Sequence, residues 1–160
     1  MKAPLVRLLA CLAVVPLLAG CIAEASHEPT ASPMTYSCCE TADIEKLYQP
    51  GQTFTLHWIV GVRDASATVP PRVELQASLT GPYATEAELK DAEMGVVTVP
   101  GLVTYTAEPV RPAGTPDEQP VSVIPIAPAA KPGYYNLASS MVDGDATASG
   151  ASIIRIVAGS

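Results

Sequence analysis

Thr53-Phe54-Thr55-Leu56-His57-Trp58-Ile59-Val60-Gly61-Val62 is the stretch on which the fold reading turns. Phe54, Leu56, Trp58, Val60 and Val62 alternate with Thr53, Thr55, His57, Ile59 and Gly61. Successive side chains of a strand point to opposite faces, so this pattern predicts one half-buried strand of nearly ten residues with its large side chains inward. His57 then points off the core, the ordinary position of a surface histidine, and takes no catalytic role. Upstream, Gln49-Pro50-Gly51-Gln52 is a turn, and Thr41 to Tyr48 reads as a first strand or a helical turn.

The same period continues downstream. Val69-Pro70-Pro71 breaks the chain, after which Val73, Leu75, Ala77 and Leu79 alternate with Arg72, Glu74, Gln76 and Ser78, a second strand that Thr80-Gly81-Pro82 is expected to end. Thr85-Glu86-Ala87-Glu88 has capping-box spacing and predicts a short helix over residues 86–93. Its acids Glu86, Glu88, Asp91 and Glu93 read as a solvated face rather than a cation site. Gly95 to Val99 and Leu102 to Ala107 flank Pro100-Gly101 and read as a hairpin, followed by a Pro-rich loop over 108–118. Val121 to Ala127 is extended, but Pro120, Pro125 and Pro128 cannot donate to a ladder on both sides, which makes it an edge strand or a bulged one. A final pair of strands is expected from Lys131-Pro132-Gly133-Tyr134-Tyr135 through Val142 and from Ala151 to Val157, joined by a loop over Asp143 to Gly150. Asp143-Gly144-Asp145 offers too few oxygen ligands for a calcium loop and reads as part of that connection.

Sixteen prolines and eleven glycines, with few charges and many Val, Thr and Ala, favour short strands and turns over long helices. Within this all-β reading, Gly133 and Tyr135, two residues before an inward Leu137, resemble the tyrosine corner of immunoglobulin-like sandwiches. The resemblance implies an immunoglobulin-like antiparallel β-sandwich of about seven to eight strands over residues 41–158. Antibody-type domains carry a cysteine where Leu137 stands and another on the long early strand; this chain has neither, so the likeness is one of architecture.

The amino-terminal segment has a basic start (Lys2, Arg7) and an apolar centre from Leu8 to Leu18, interrupted by Pro16 and too short to span a membrane comfortably. It closes on Leu17-Leu18-Ala19-Gly20-Cys21, which resembles the lipobox of bacterial lipoproteins. That resemblance implies a signal peptide over residues 1–20, cleavage before Cys21, and a diacylglycerol and an N-acyl lipid on Cys21 as the only attached group. It also implies a protein anchored to the cell membrane and facing outside the cytoplasm. Loss of Lys2 and Arg7 leaves seven basic against sixteen acidic residues, a net charge near −9, which disfavours nucleic acid and anionic headgroups, so attachment rests on the acyl chains. Residues 21–40 form the lipidated cysteine and a tether ending in a cysteine pair. Across 22–36 no apolar period exists, and His27 and Met34 read as solvated linker residues.

Cys38 and Cys39 are the other cysteines of the mature chain. Adjacent residues cannot staple distant strands, and across a trans peptide their Cα atoms lie about 3.80 Å apart, short of the usual disulfide span of about 4.4–6.8 Å. A bond between them is expected to be reducible, which suggests a redox pair; a static ring pinning a turn, or bonds to a partner chain, are the plainer alternatives. The chain holds neither a Gly-x-Ser-x-Gly elbow nor a His-Glu-x-x-His helix, so no enzyme is expected. The leading expectation is a binding or structural module of the cell envelope, with an envelope protein or a wall component as partner. The alternative is a thiol-redox or metal-handling lipoprotein using Cys38 and Cys39.

Overall fold

The computed structural model describes residues 33–63 and 72–159; Cys21, the lipobox and most of the expected tether lie outside them. The chain is mostly strand, arranged as β1 (Met34–Ser37), α1 (Thr41–Glu45), β2 (Leu47–Tyr48), β3 (Thr53–His57), β4 (Ile59–Val62), β5 (Val73–Tyr83), α2 (Glu86–Glu93), β6 (Val103–Thr106), β7 (Val121–Pro125), β8 (Gly133–Asp143) and β9 (Ala146–Ile156). A five-stranded sheet runs in the order β2-β9-β8-β5-β6, and β3 pairs with β7 and β1 with β4. Every pairing is antiparallel except that of β2 with β9.

The core lies between the large sheet and the β3–β7 ladder, which makes the fold sandwich-like. Phe54, Leu56 and Ile124 from one layer meet Leu75, Leu79, Tyr135, Leu137 and Ile154 from the other, all of them fully buried. Burying side chains of this size stabilises by about 1.5–3 kcal/mol each. The inward set of β5 is the one its alternation predicts, and α2 spans the residues that the capping box predicts. Thr85 Oγ1 accepts from Glu88 N at 3.0 Å, while the Glu88 carboxylate accepts from Ala84 N.

Several boundaries differ from expectation, each for a local reason. The long strand around Trp58 is two strands. β3 ends opposite Val121, where Pro120 has no N–H to return a bond; Trp58 N still donates to Pro120 O, and the chain then leaves for β1. Val62 is accordingly exposed. Met34, expected in the tether, is buried with Tyr36 on β1, so the folded region includes at least the seven residues ahead of Thr41. Gly95 does not open a strand but closes α2: with φ 72° it donates to Ala92 O, and Val96 N donates to Asp91 O, the two bonds of a Schellman cap. The expected hairpin over 95–107 is therefore absent, and β6 pairs with β5 instead.

β5 runs past Thr80 to Tyr83 by slipping register between those residues, which accommodates Pro82. The loop expected over 143–150 is strand except for the two-residue turn Gly144-Asp145, Gly144 having φ 62°. Ala, Ser, Thr and Gly hide that strand from a hydrophobic period, but their backbone pairs with β8 without interruption.

Candidate functional site

Cys38 and Cys39 sit half-buried between β1 and α1, where their sulfurs are joined in a disulfide across a cis peptide that brings the Cα atoms to 3.1 Å. The ring packs against the hydrophobic core and borders a shallow cleft of about 170 Å³ together with Tyr36, Trp58, Ser139, Ser149 and Gly150. Trp58 is held by Nε1–H donating to the buried Ser122 Oγ at 3.0 Å. Tyr36 donates its hydroxyl to the Glu118 carboxylate. That carboxylate also accepts from Ala113, Gly114 and Thr115 N at 2.7, 2.9 and 3.2 Å, which ties the Pro-rich loop to β1. Burial, and then the hydrogen bond and charge of Glu118, push the Tyr36 phenol far above its usual range. It therefore remains a neutral donor.

Directly after the cysteines, α1 presents Asp43, buried, to His57 on β3. Asp43 Oδ2 accepts from His57 N at 2.7 Å, and Oδ1 lies 3.0 Å from Nδ1. Tyr48 closes the other side, donating to Asp43 O at 3.1 Å and packing on Phe54 with ring centroids 5.0 Å apart. His57 is thus a partnered residue that clasps α1 to the sandwich, where the sequence reads it as an unattached surface side chain. The His57 side chain remains 44% exposed. The signal that would find Asp43 is its burial, which sequence does not give.

On the opposite face of the large sheet, Gln76, Ser78, Thr106, Ala138, Ser140 and Ser149 border a second groove of about 310 Å³. It is at the lower limit of small-molecule sites, roughly 300–1,000 Å³. Beneath the sheet, Tyr135 hydroxyl donates to Lys131 O at 2.8 Å, the bond that a tyrosine corner makes. Burial, with Tyr105 adding to it, pushes its pKa up to about 12. Among the described residues no cluster of three or more His, Cys, Asp or Glu is placed to hold a metal ion, and no helix is long and apolar enough to cross a membrane.

No family model matches the chain, and no curated protein matches its sequence. What the fold and these sites define is an all-β, sandwich-like domain. A disulfide ring and a clasped histidine lie at its amino-terminal junction, and two shallow grooves flank its longest hairpin.

Proposed function

We propose that this protein is a membrane-anchored lipoprotein acting outside the cytoplasm as a binding or structural module of the cell envelope. The observation that carries the reading is the Leu17-Leu18-Ala19-Gly20-Cys21 string, a lipobox-like sequence that ends 13 positions ahead of Met34, where the first described strand begins. Two acyl chains on a diacylglycerol suffice for stable anchoring. The domain is immunoglobulin-like in this reading, supported by the neighbour order β9-β8-β5 in one sheet, β3-β7 in the other, and the Tyr135 to Lys131 bond. Its grooves are small and open to solvent, which suits a protein or polymer partner better than an enclosed small molecule. Membrane fractionation of the wild type and Cys21→Ser tests the anchor: the variant is released or left unprocessed, and unchanged attachment after correct cleavage refutes it. Crosslinking in cells then identifies the envelope protein or wall component.

The Cys38–Cys39 bond beside the 170 Å³ cleft favours a second reading, a thiol-redox lipoprotein. In it a partner dithiol donates two electrons and two protons, the sulfur–sulfur bond breaks, and both cysteines become thiols while the partner is oxidised to its disulfide. Metal handling would follow only from that reduced form, since thiolates are the ligands. Intact mass with and without reductant and alkylator decides it. Two alkyl groups added only after mild reduction, together with loss of function in Cys38→Ser, support the redox role; a bond that resists reduction in the folded protein ends it.

A further inference from the structure

Within the thiol-redox reading, on which this assignment rests, we infer that Cys38 is the sulfur at which a partner thiol opens the Cys38–Cys39 bond. Cys39 is then the leaving and resolving thiol, and the partner presents its cysteine on a narrow protein segment without acidic flanks. Both cysteines are half-buried against the core, so overall exposure does not separate them. The cleft does: Cys38 borders it and Cys39 does not.

In thiol–disulfide exchange, access helps decide which sulfur the incoming thiolate attacks, and the other sulfur departs. A thiolate that enters the cleft reaches Cys38 there. One wall is fixed in advance, Trp58 by its bond to Ser122 at 3.0 Å and Tyr36 by its bond to Glu118. The facing wall is Ala148, Ser149 and Gly150 of β9, whose side chains are too small to fill the gap. Cys39 lies toward the fastened side of the junction. It leads into Glu40, whose carbonyl accepts from Asp43 N at 3.0 Å, and Asp43 is held in turn by His57. That backbone anchorage keeps Cys39 next to Cys38 after the bond has opened.

Volume and charge describe the partner. At about 170 Å³ the cleft falls well below the roughly 300 Å³ at which small-molecule sites begin, so it admits one side chain rather than a free thiol cofactor. None of its lining residues is charged, and the whole chain carries a formal net charge of −7, which disfavours a thiol flanked by carboxylates. The entering group is therefore the cysteine side chain of an exposed protein segment.

The exchange runs in two steps. The partner's first cysteine gives up its proton, and its thiolate attacks Cys38 Sγ. A partner–Cys38 bond forms, the Cys38–Cys39 bond breaks, and the electron pair leaves on Cys39 Sγ, which takes up a proton. The partner's second cysteine, deprotonated in turn, attacks the partner's own sulfur in the mixed disulfide and expels Cys38 as a thiolate, which is then protonated. The partner ends as a disulfide, and both of its electrons and both protons reside on Cys38 and Cys39.

The full chain in mild detergent provides the test, with modified positions read by fragment mass spectrometry so that Cys11 and Cys21 do not count. Wild type reduced with dithiothreitol and given iodoacetamide below stoichiometry should carry label at Cys38 in about tenfold excess over Cys39. The first step run backwards gives a second measurement. Cys39→Ser should form a mixed disulfide with the symmetric disulfide of a neutral single-cysteine peptide about tenfold faster than Cys38→Ser does, while the two variants react alike when unfolded in urea. Glutathione disulfide, which carries carboxylates, should lag the peptide on folded Cys39→Ser but not on the unfolded chain. Ala148→Leu, at an exposed position on the cleft, should slow labelling of Cys38 and leave Cys39 unchanged. Equal labelling, preference for Cys39, or a Cys38 rate indifferent to Ala148→Leu overturns the assignment of the sulfurs, and glutathione disulfide reacting as fast as the peptide overturns that of the partner. A bond that resists reduction in the folded protein fails before either and ends the redox reading itself.

Discussion

The closing hairpin has one hydrogen-bond ladder and two characters. From Gly133 to Leu137 and from Ser152 to Ile156 it is core: Tyr135, Leu137, Ile154 and Ile156 are at most 1% exposed. From Ala138 to Ser140 and from Ala146 to Ala151 it carries alanine, serine, threonine and glycine and borders both grooves. Backbone pairing is continuous through both halves, so pairing alone does not distinguish them. Side-chain volume does. Large inward residues convert the ladder into a packed layer, whereas small ones leave it as an open surface. The half that holds the fold together and the half available for binding are thus separated along a single pair of strands.

The comparison is broken most severely by emptying the packed half. Leu137→Ala removes a fully buried side chain and should cost about 2–5 kcal/mol, read as a lower denaturation midpoint, while Ser140→Ala on the same strand should stay within about 0.5 kcal/mol. Equal losses would show that the two halves are energetically alike.

Gly81→Ala should cost about 1–3 kcal/mol by overpacking, because its new Cβ would stand 2.6 Å from Tyr135 Cδ1 and 2.8 Å from Tyr134 O. A similar cost, about 1–3 kcal/mol, is expected for Tyr135→Phe, which leaves the Lys131 carbonyl without its donor. The titration of Tyr135 adds a signature that packing loss lacks. Its folded pKa is raised from 10.0 to about 12, so its contribution is fully present below pH 10 and is lost as pH rises through about 12. Stability measured across that window should fall in the wild type and fall less in Tyr135→Phe.

The smallest effect sharpens the contrast from the open half. At Gly150 a Cβ meets only Ser139 Oγ, at 3.4 Å, and its φ is not in the left-handed region. Gly150→Ala should be neutral or stabilise by about 0.5–1 kcal/mol through reduced unfolded-state freedom. A loss comparable with that of Gly81→Ala would mean that the open half is packed after all.

Residue types and their period determined the all-β class, the inward faces of β3 and β5, the helix over 86–93 and the inward Leu137, because each rests on local alternation or capping. The period was blind where side chains are small or elements short. β1 has only Met34 and Tyr36 to mark it, and Ala146 to Ala151 has no large side chain at all, so pairing with β4 and β8 is what makes both into strands. The cysteine pair was legible as an oddity of sequence, but the cleft it borders and the Asp43–His57 clasp beside it were not. Those contacts join residues 14 or more positions apart, and only the closing of the sandwich brings such groups within hydrogen-bonding distance.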